Sequence, residues 1–442
     1  MSSGIHQCGD AGLFFPAPGA LDTTRSSLEI HRALQGDVPS RSKAPRARRA
    51  RNASFLRLLK SRAVAAGITR VADISALAPD SFPVFQATRP ALYAHALLGQ
   101  NSGSQGRGLE PTLAQISAIM EALEMHAAEP RNAQLVRGNY DFLSRIHPVL
   151  PLRQYASMLN GAEPPADTEP IVWTSAYCID LGVDVLAPAE ALFYGLNARD
   201  YQTRPIFPGS SNGLAGGDTL LHATLHGLYE LVERHLLASW VEQAPALRVD
   251  RLLHVDLQKF SVVRRLMTVA PGSSLAVFAV RHVEVAGLVY AHAVWADEDG
   301  RTYNGGACHH SPQNAIVRAV SEAQQSRTTW YSASREDHAF GEDEPLNGHE
   351  TLKMTPEQLS VTELEREVGV LRFGDDPAEL RHLLRSVHQL GFPHVLVKNL
   401  TRVGLDVPVV RVLVPGMKMQ SFCKPRPYCH HEVMQCKFCL DL

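Results

Sequence analysis

The stretch Thr219–Leu237, reading TLLHATLHGLYELVERHLL, carries the reading of the whole chain. Leu221, Leu225, Leu228, Val232 and Leu236 recur at intervals of three and four, which predicts a helix with one buried stripe. Glu230 and Glu233 stand at i and i+3 on the polar side, with Arg234 beside them. Like charges at that spacing repel, so such a helix needs compensation from outside itself. The preceding Ser210–Thr219, SSNGLAGGDT, predicts a glycine-rich turn into a helix N-terminus, where unbonded backbone N–H groups suit an anion. No Gly-Lys-Ser/Thr follows, so this is not a P-loop.

The same design occurs twice more. In Gly106–Glu129 a helix is predicted to start near Pro111-Thr112, with Leu113, Ile116, Met120, Leu123 and Ala127 on its apolar face. Ser117, Glu121 and Glu124 share a neighbouring face, and neither Glu has a Lys or Arg within three or four positions in that helix. A third helix, Pro312–Arg327, buries Ile316, Val317 and Val320 and aligns Ala315, Arg318, Glu322 and Gln325. Gly305-Gly306 and His309-His310 are expected in the loop before it. Five carboxylates and a glutamine on polar stripes form a hard oxygen donor set, the kind that suits Mg2+ held together with nucleotide phosphates.

Working outward, the chain of 442 residues is 45% hydrophobic and 20% charged, which excludes fibrous and wholly disordered classes. Its net charge of -2 supplies no basic field, so nucleic acid is not an expected partner. No apolar run is long enough to span a membrane and no secretion signal opens the chain, so a soluble cytoplasmic protein is expected. Short apolar strands at Phe82–Phe85, Leu275–Val280, Val395–Val397 and Val407–Val414 alternate with helical periodicity, giving a mixed α/β fold of sheets with packed helices. Residues 1–52, with a basic cluster at Arg41–Arg51, read as a solvated extension; 53–420 form the main domain and 421–442 a tail. That tail holds Cys423, Cys429, His430, His431, Cys436 and Cys439, residue types that could bind Zn2+, although the spacing fits no standard finger. Cys308 reads as a small buried hydrophobe, with sulfur carriage as its alternative.

These segments together resemble the YcaO family. The resemblance rests on Gly106-Arg-Gly with Ser117-x3-Glu121-x2-Glu124, on Asn212–Thr219 with Tyr229–Arg234, and on Ser321–Arg327, in that order, and it spans roughly residues 65–417. It implies an ATP- and Mg2+-dependent enzyme that activates a peptide-backbone amide, with the nucleotide site between the helices bearing the ExxE motifs. By the same resemblance Glu121, Glu124, Glu230 and Glu233 are metal ligands, and Glu121, Glu230, Glu322 and Gln325 serve catalysis. Ser117, Asp218, Arg234, Arg318 and Arg327 are the expected nucleotide contacts. Three departures stand out: Met125 where the first block commonly has Arg, Asp218 where it has Asn, and His222 where an acidic residue is common.

Azoline-forming members usually end in Pro-x-Pro-x-Pro, whereas here the nearest match is the internal Lys424–Tyr428. The Gly67–Ile74 and Asn399–Arg402 segments are more similar to members that act with a TfuA partner in thioamidation. Thioamide formation on a precursor peptide or protein, with sulfur delivered by a TfuA-like partner, is the expected chemistry. Azoline formation and a catalytically lapsed scaffold are the alternatives, and the oligomeric state, homodimer included, stays open.

Overall fold

Val409–Leu413, a fully buried strand interrupted only by Arg411, lies inside the largest sheet of the chain. The computed structural model describes residues 6–8, 13–15, 30–32, 45–78, 82–90, 101–130, 133–159, 163–196, 198–207, 209–242, 252–257, 274–280, 285, 287–332, 357–369, 371 and 373–418. The cysteines and histidines of the tail lie outside these residues. The chain divides into two units, one built from residues 1–40, 124–231 and 376–442, the other from 41–123 and 232–375.

The first unit is organised by an eight-stranded antiparallel sheet. Its strands are β1 (His6–Cys8), β2 (Leu13–Phe15), β6 (Val136–Gly138), β7 (Ile171–Cys178), β8 (Val183–Pro188), β9 (Leu214–Gly216), β15 (Leu396–Asn399) and β16 (Val409–Leu413). The order is β1-β2-β6-β7-β15-β16-β9, with β8 pairing β7. All eight residues of β7 are buried, as befits a strand covered on both faces. β7 pairs β8 over most of its length and shares its other edge between β6 and β15. Trp173, Tyr155, Leu143 and Leu396 anchor the core on this sheet.

The second unit carries two sheets. One is the meander β3 (Arg70–Asp73), β4 (Val84–Pro90) and β5 (Asn101–Arg107). The other has the order β13-β12-β11-β10-β14, from β10 (Leu252–Asp256), β11 (Ser274–Val280), β12 (Val289–Ala296), β13 (Thr302–His309) and β14 (Glu357–Ser360). Only β10 and β14 pair in parallel among the described strands, so the mixed α/β fold is mostly antiparallel.

The helices of two turns or more among the described residues are α1 (Pro45–Ala63), α2 (Pro111–Ala128), α3 (Leu220–Val241), α4 (Pro312–Ser332), α5 (Val361–Val368) and α6 (Asp376–Gln389). The division between units falls within α2, after Leu123, and within α3, after Leu231. α1 starts at Pro45, so part of the basic cluster is helical, and exposed Arg49 sits 3.8 Å from Glu110. Two expectations are corrected. α3 is buried nearly all round: beyond the expected stripe, Ala223, Thr224, Tyr229, Leu231 and Trp240 are also buried. In α2 the buried face centres on Ala114, Ala118, Ile119 and Ala122, while Leu113 and Ile116 are only half-buried.

Gly305-Gly306 lies in strand β13, not in a loop, and the reason is steric. A Cβ on Gly305 would lie 2.2 Å from both Ala319 O and Ala323 N of α4, and one on Gly306 would lie 2.7 Å from the Tyr290 hydroxyl. Gly106 of β5 has the same role against α2, where a Cβ would lie 1.9 Å from Ala118 N. In both places the obstacle to a side chain includes helix backbone, which cannot swing aside. Gly305→Ala is therefore expected to destabilise the chain by about 1–3 kcal/mol. Urea unfolding followed by circular dichroism checks this, and an unchanged midpoint would contradict it.

Candidate functional site

In the first unit, Glu124 of α2 and Glu230 of α3 both face the segment Gly213–Gly216 that contains β9. Gly216 N–H donates to Glu124 Oε1 at 2.6 Å, and Gly213 N–H donates to Glu230 Oε2 at 3.1 Å. Within the expected turn Ser210–Thr219 only Leu214–Gly216 is strand, and the N–H groups of Gly213 and Gly216 hold the carboxylates. Gly213 has φ +77°, and a Cβ there would lie 2.3 Å from Val412 O, so the position accepts only glycine without strain. Gly227 in α3 likewise lets the helix press against Gly213 O and Val412.

Beneath Glu230 lies Arg411, buried in β16, with its guanidinium donating to Ala191 O and Ser210 O at 3.2 and 2.6 Å. Burial pulls its pKa down to about 10, and the Glu230 carboxylate works against that shift. Asp218 and His222, two of the family departures, form a pair: His222 Nδ1 lies 2.9 Å from Asp218 Oδ1. Thr219 Oγ1 accepts the His222 N–H and caps α3. Met125, the third departure, packs on the apolar cluster of Ala127, Ala128 and Phe193.

In the second unit, Gln105 N–H donates to Glu121 Oε2 at 2.9 Å. Arg107 of β5 reaches α4, donating to Gln325 Oε1 at 2.6 Å and to Glu322 Oε2 at 3.1 Å. Gln325 in turn donates to Gln105 O at 3.4 Å. Among the described residues the Ser117 hydroxyl, one helical turn before Glu121, has no hydrogen-bond partner. Arg234 Nε lies 3.8 Å from Glu233 Oε1.

Glu233, Arg234 and Glu322 all act electrostatically on the Tyr290 hydroxyl, whose pKa is driven well up by burial first and by the two carboxylates next. Glu233 and Arg318 act on Cys308, a buried thiol that burial holds protonated, as suits the packing role expected for it. The second unit therefore gathers Glu233, Arg234, Arg318, Glu322 and Gln325 around β12, β13 and α4. Arg327 is placed differently. It is buried against Asp297 at 2.8 Å, so its guanidinium serves the core. Sequence reading did not assign Arg107, Gln105, Arg411 or Tyr290; the glycines flanking Arg107 were the one local signal.

His292 lies beside Tyr290, with its Nδ1 3.3 Å from the Tyr290 hydroxyl. Burial lowers its pKa from 6.5 to about 4, opposed by a hydrogen bond with Asn304. Between these values the unfolded chain takes up a proton that the native state refuses. Stability is therefore expected to fall as pH drops from 6.5 toward 4 and to lose this dependence in His292→Phe. Urea midpoints at several pH values check it; equal slopes in both proteins would contradict it.

The YcaO cyclodehydratase domain, described as ATP- and Mg2+-binding, matches residues 105–418, well over half of the chain. The chain belongs to the YcaO family. Two Mycobacterium tuberculosis proteins, Rv1375 and MT1419, are each 31% identical to this YcaO chain over 367 residues, covering 80% of it and 79% of the relative. A Rhizobium leguminosarum bv. trifolii protein encoded in the region 3′ of tfuA is 29% identical over 378 residues, covering 80% and 84%. The fold is similar to that of Methanopyrus kandleri YcaO bound with AMPPCP and Mg2+, with a TM-score of 0.65 and 22% identity over 85% of this chain and 95% of the other. As a YcaO protein the chain has a domain of an ATP- and Mg2+-binding kind, and the carboxylates of α2, α3 and α4 coincide with that matched region.

Proposed function

We propose that this chain uses MgATP to activate a peptide-backbone amide and that the product is a thioamide. The γ-phosphoryl group passes to the amide oxygen and ADP departs. A sulfide equivalent then adds to the amide carbon, and the C–O bond breaks with the electron pair leaving on phosphate. The observation that carries this reading is the treatment of the carboxylates: Glu121, Glu124 and Glu230 each have one oxygen fixed by a backbone N–H. Such fixing presents charge in a set direction, which is what electrostatic catalysis of phosphoryl transfer needs.

The donor set fits Mg2+, which favours a few carboxylates together with phosphate oxygens. Glu121, Glu124, Glu230 and Glu233 are the proposed ligands, and the metal would neutralise phosphate charge. The unpartnered Ser117 hydroxyl suits a nucleotide contact, as do Asp218, Arg234 and Arg318. Arg107 is a positioning residue that orients Glu322 and Gln325. Arg107→Ala is expected to reduce ATP turnover by up to ~10²-fold, with Arg107→Lys recovering little, because a lysine cannot reproduce the two-point fork. A turnover assay checks it, and full activity in Arg107→Ala would contradict the positioning role.

Thioamidation is favoured by the Gly67–Ile74 and Asn399–Arg402 segments and by the gene position of the Rhizobium relative beside tfuA. A TfuA-like protein is the proposed sulfur-delivery partner, and a precursor peptide or protein the substrate. Coexpression with both, followed by intact mass, tests it. Sulfur-for-oxygen exchange supports thioamidation; loss of water would establish azoline formation instead.

A further inference from the structure

A second cluster of ligand-type side chains lies in the first unit. Cys178 is the last residue of β7, and Asp180 follows it in the turn to β8. His394 directly precedes Val395 and β15, whose Leu396 pairs with Cys178. Continued past the strand ends, this antiparallel register sets His394 opposite Asp180, and one ligand atom each from Cys178, Asp180 and His394 lies within 4.8 Å of the others. His388, in the last turn of α6, places Nε2 2.7 Å from Asp180 Oδ1.

The packing around these groups resembles that of a prepared ligand set. The other oxygen of Asp180 accepts the Val395 N–H at 2.7 Å, which fixes the carboxylate plane. Metal-binding carboxylates are commonly oriented by such outer hydrogen bonds. The His394 Nδ1 is shielded from solvent and has no hydrogen-bond partner among the described residues. Cys178 is a buried free thiol. Leu181 beside the turn is exposed, so the cluster lies near the surface, where an ion can enter.

We propose that Cys178, Asp180, His388 and His394 form a structural Zn2+ site that ties the end of β7 to the start of β15. One thiolate, one carboxylate and two imidazoles match the donors zinc takes in four-coordinate sites, and the soft sulfur disfavours Mg2+ and Ca2+. Tetrahedral bonds of the usual lengths put ligand atoms roughly 3.3–3.8 Å apart, so metal binding needs Cys178, Asp180 and His394 to close by about an ångström and the 2.7 Å contact of His388 with Asp180 to open. This site is separate from the ExxE carboxylates and does not depend on the proposed amide chemistry.

The test uses the full chain with Cys423, Cys429, Cys436 and Cys439 changed to Ser, which removes tail thiolates from the readout. Co2+ is titrated first, then Zn2+ in competition. The expected result is a sulfur-to-cobalt charge-transfer band that saturates at one ion per chain and is displaced by Zn2+. His394→Ala should weaken binding by about tenfold or more, as loss of a ligand or its support does, and Cys178→Ser should remove the band. His394→Ala lies at a half-buried position and decides the matter if Cys178→Ser fails to fold. Absence of the band in the folded parent, or its persistence in both variants, would overturn the proposal.

Discussion

Glu230→Gln is expected to leave the chain folded and to reduce MgATP turnover by about 10²–10³-fold. The replacement is nearly isosteric, and its amide oxygen can still accept the Gly213 N–H that Glu230 now accepts at 3.1 Å. What disappears is a negative charge that acts in two directions. Toward the nucleotide it would remove one of the four proposed Mg2+ ligands, and an amide is a poor substitute for a carboxylate with a hard cation. Toward the core it would remove the charge that supports Arg411, although Ala191 O and Ser210 O continue to accept from that guanidinium. Calorimetric titration of MgATP, run beside a urea curve, separates the two effects. Magnesium-dependent binding lost with an almost unchanged midpoint is the expected pair of results. An unaffected turnover rate would sink the assignment of Glu230, and a matching Glu121→Gln measurement would show whether the other ExxE helix shares the site. No binding by the folded wild-type chain would favour a lapsed scaffold.

Much of the architecture was legible in the sequence where one physical rule dominates. The start of α2 at Pro111 follows from a proline at a first helical turn, and the buried run Val409–Leu413 follows from its apolar character on both sides of Arg411. The repulsion between paired glutamates also pointed correctly to compensation from outside the helix. Its source was not legible. The compensating groups include backbone N–H donors of Gln105, Gly213 and Gly216, and a backbone donor leaves no mark in residue identity. Gly305-Gly306 was misread because glycine pairs usually signal turns, whereas here Gly305 admits α4 against the strand and Gly306 admits the Tyr290 side chain. Arg107 and Arg411 escaped notice for a related reason. Each acts on groups about two hundred residues away in sequence, so nothing local gives its partners, although glycines flank Arg107.

Arg327, inside a family block, is held by core groups. Its Nε lies 2.8 and 3.0 Å from the two oxygens of Asp297, and the Tyr331 hydroxyl donates to Asp297 Oδ2 at 2.9 Å. The guanidinium carbon also lies 5.4 Å from the ring centroids of both Trp295 and Tyr331. Both side chains of the ion pair are almost wholly buried, at 5% and 6% exposure. Removing one member of such a pair strands the other charge in a low-dielectric interior, so Arg327→Ala is expected to cost about 3–5 kcal/mol. Replacing Arg327 and Asp297 together by apolar residues of similar volume should recover most of that loss, because no charge is then left unpaired. A nucleotide-binding role predicts a different pattern: the double variant would regain stability but still fail to bind MgATP. The structural role predicts that the recovered double variant binds MgATP as the parent does. Urea midpoints and calorimetric affinities on the single and double variants distinguish the two, and weak binding in a fully stable double variant would return Arg327 to the nucleotide site.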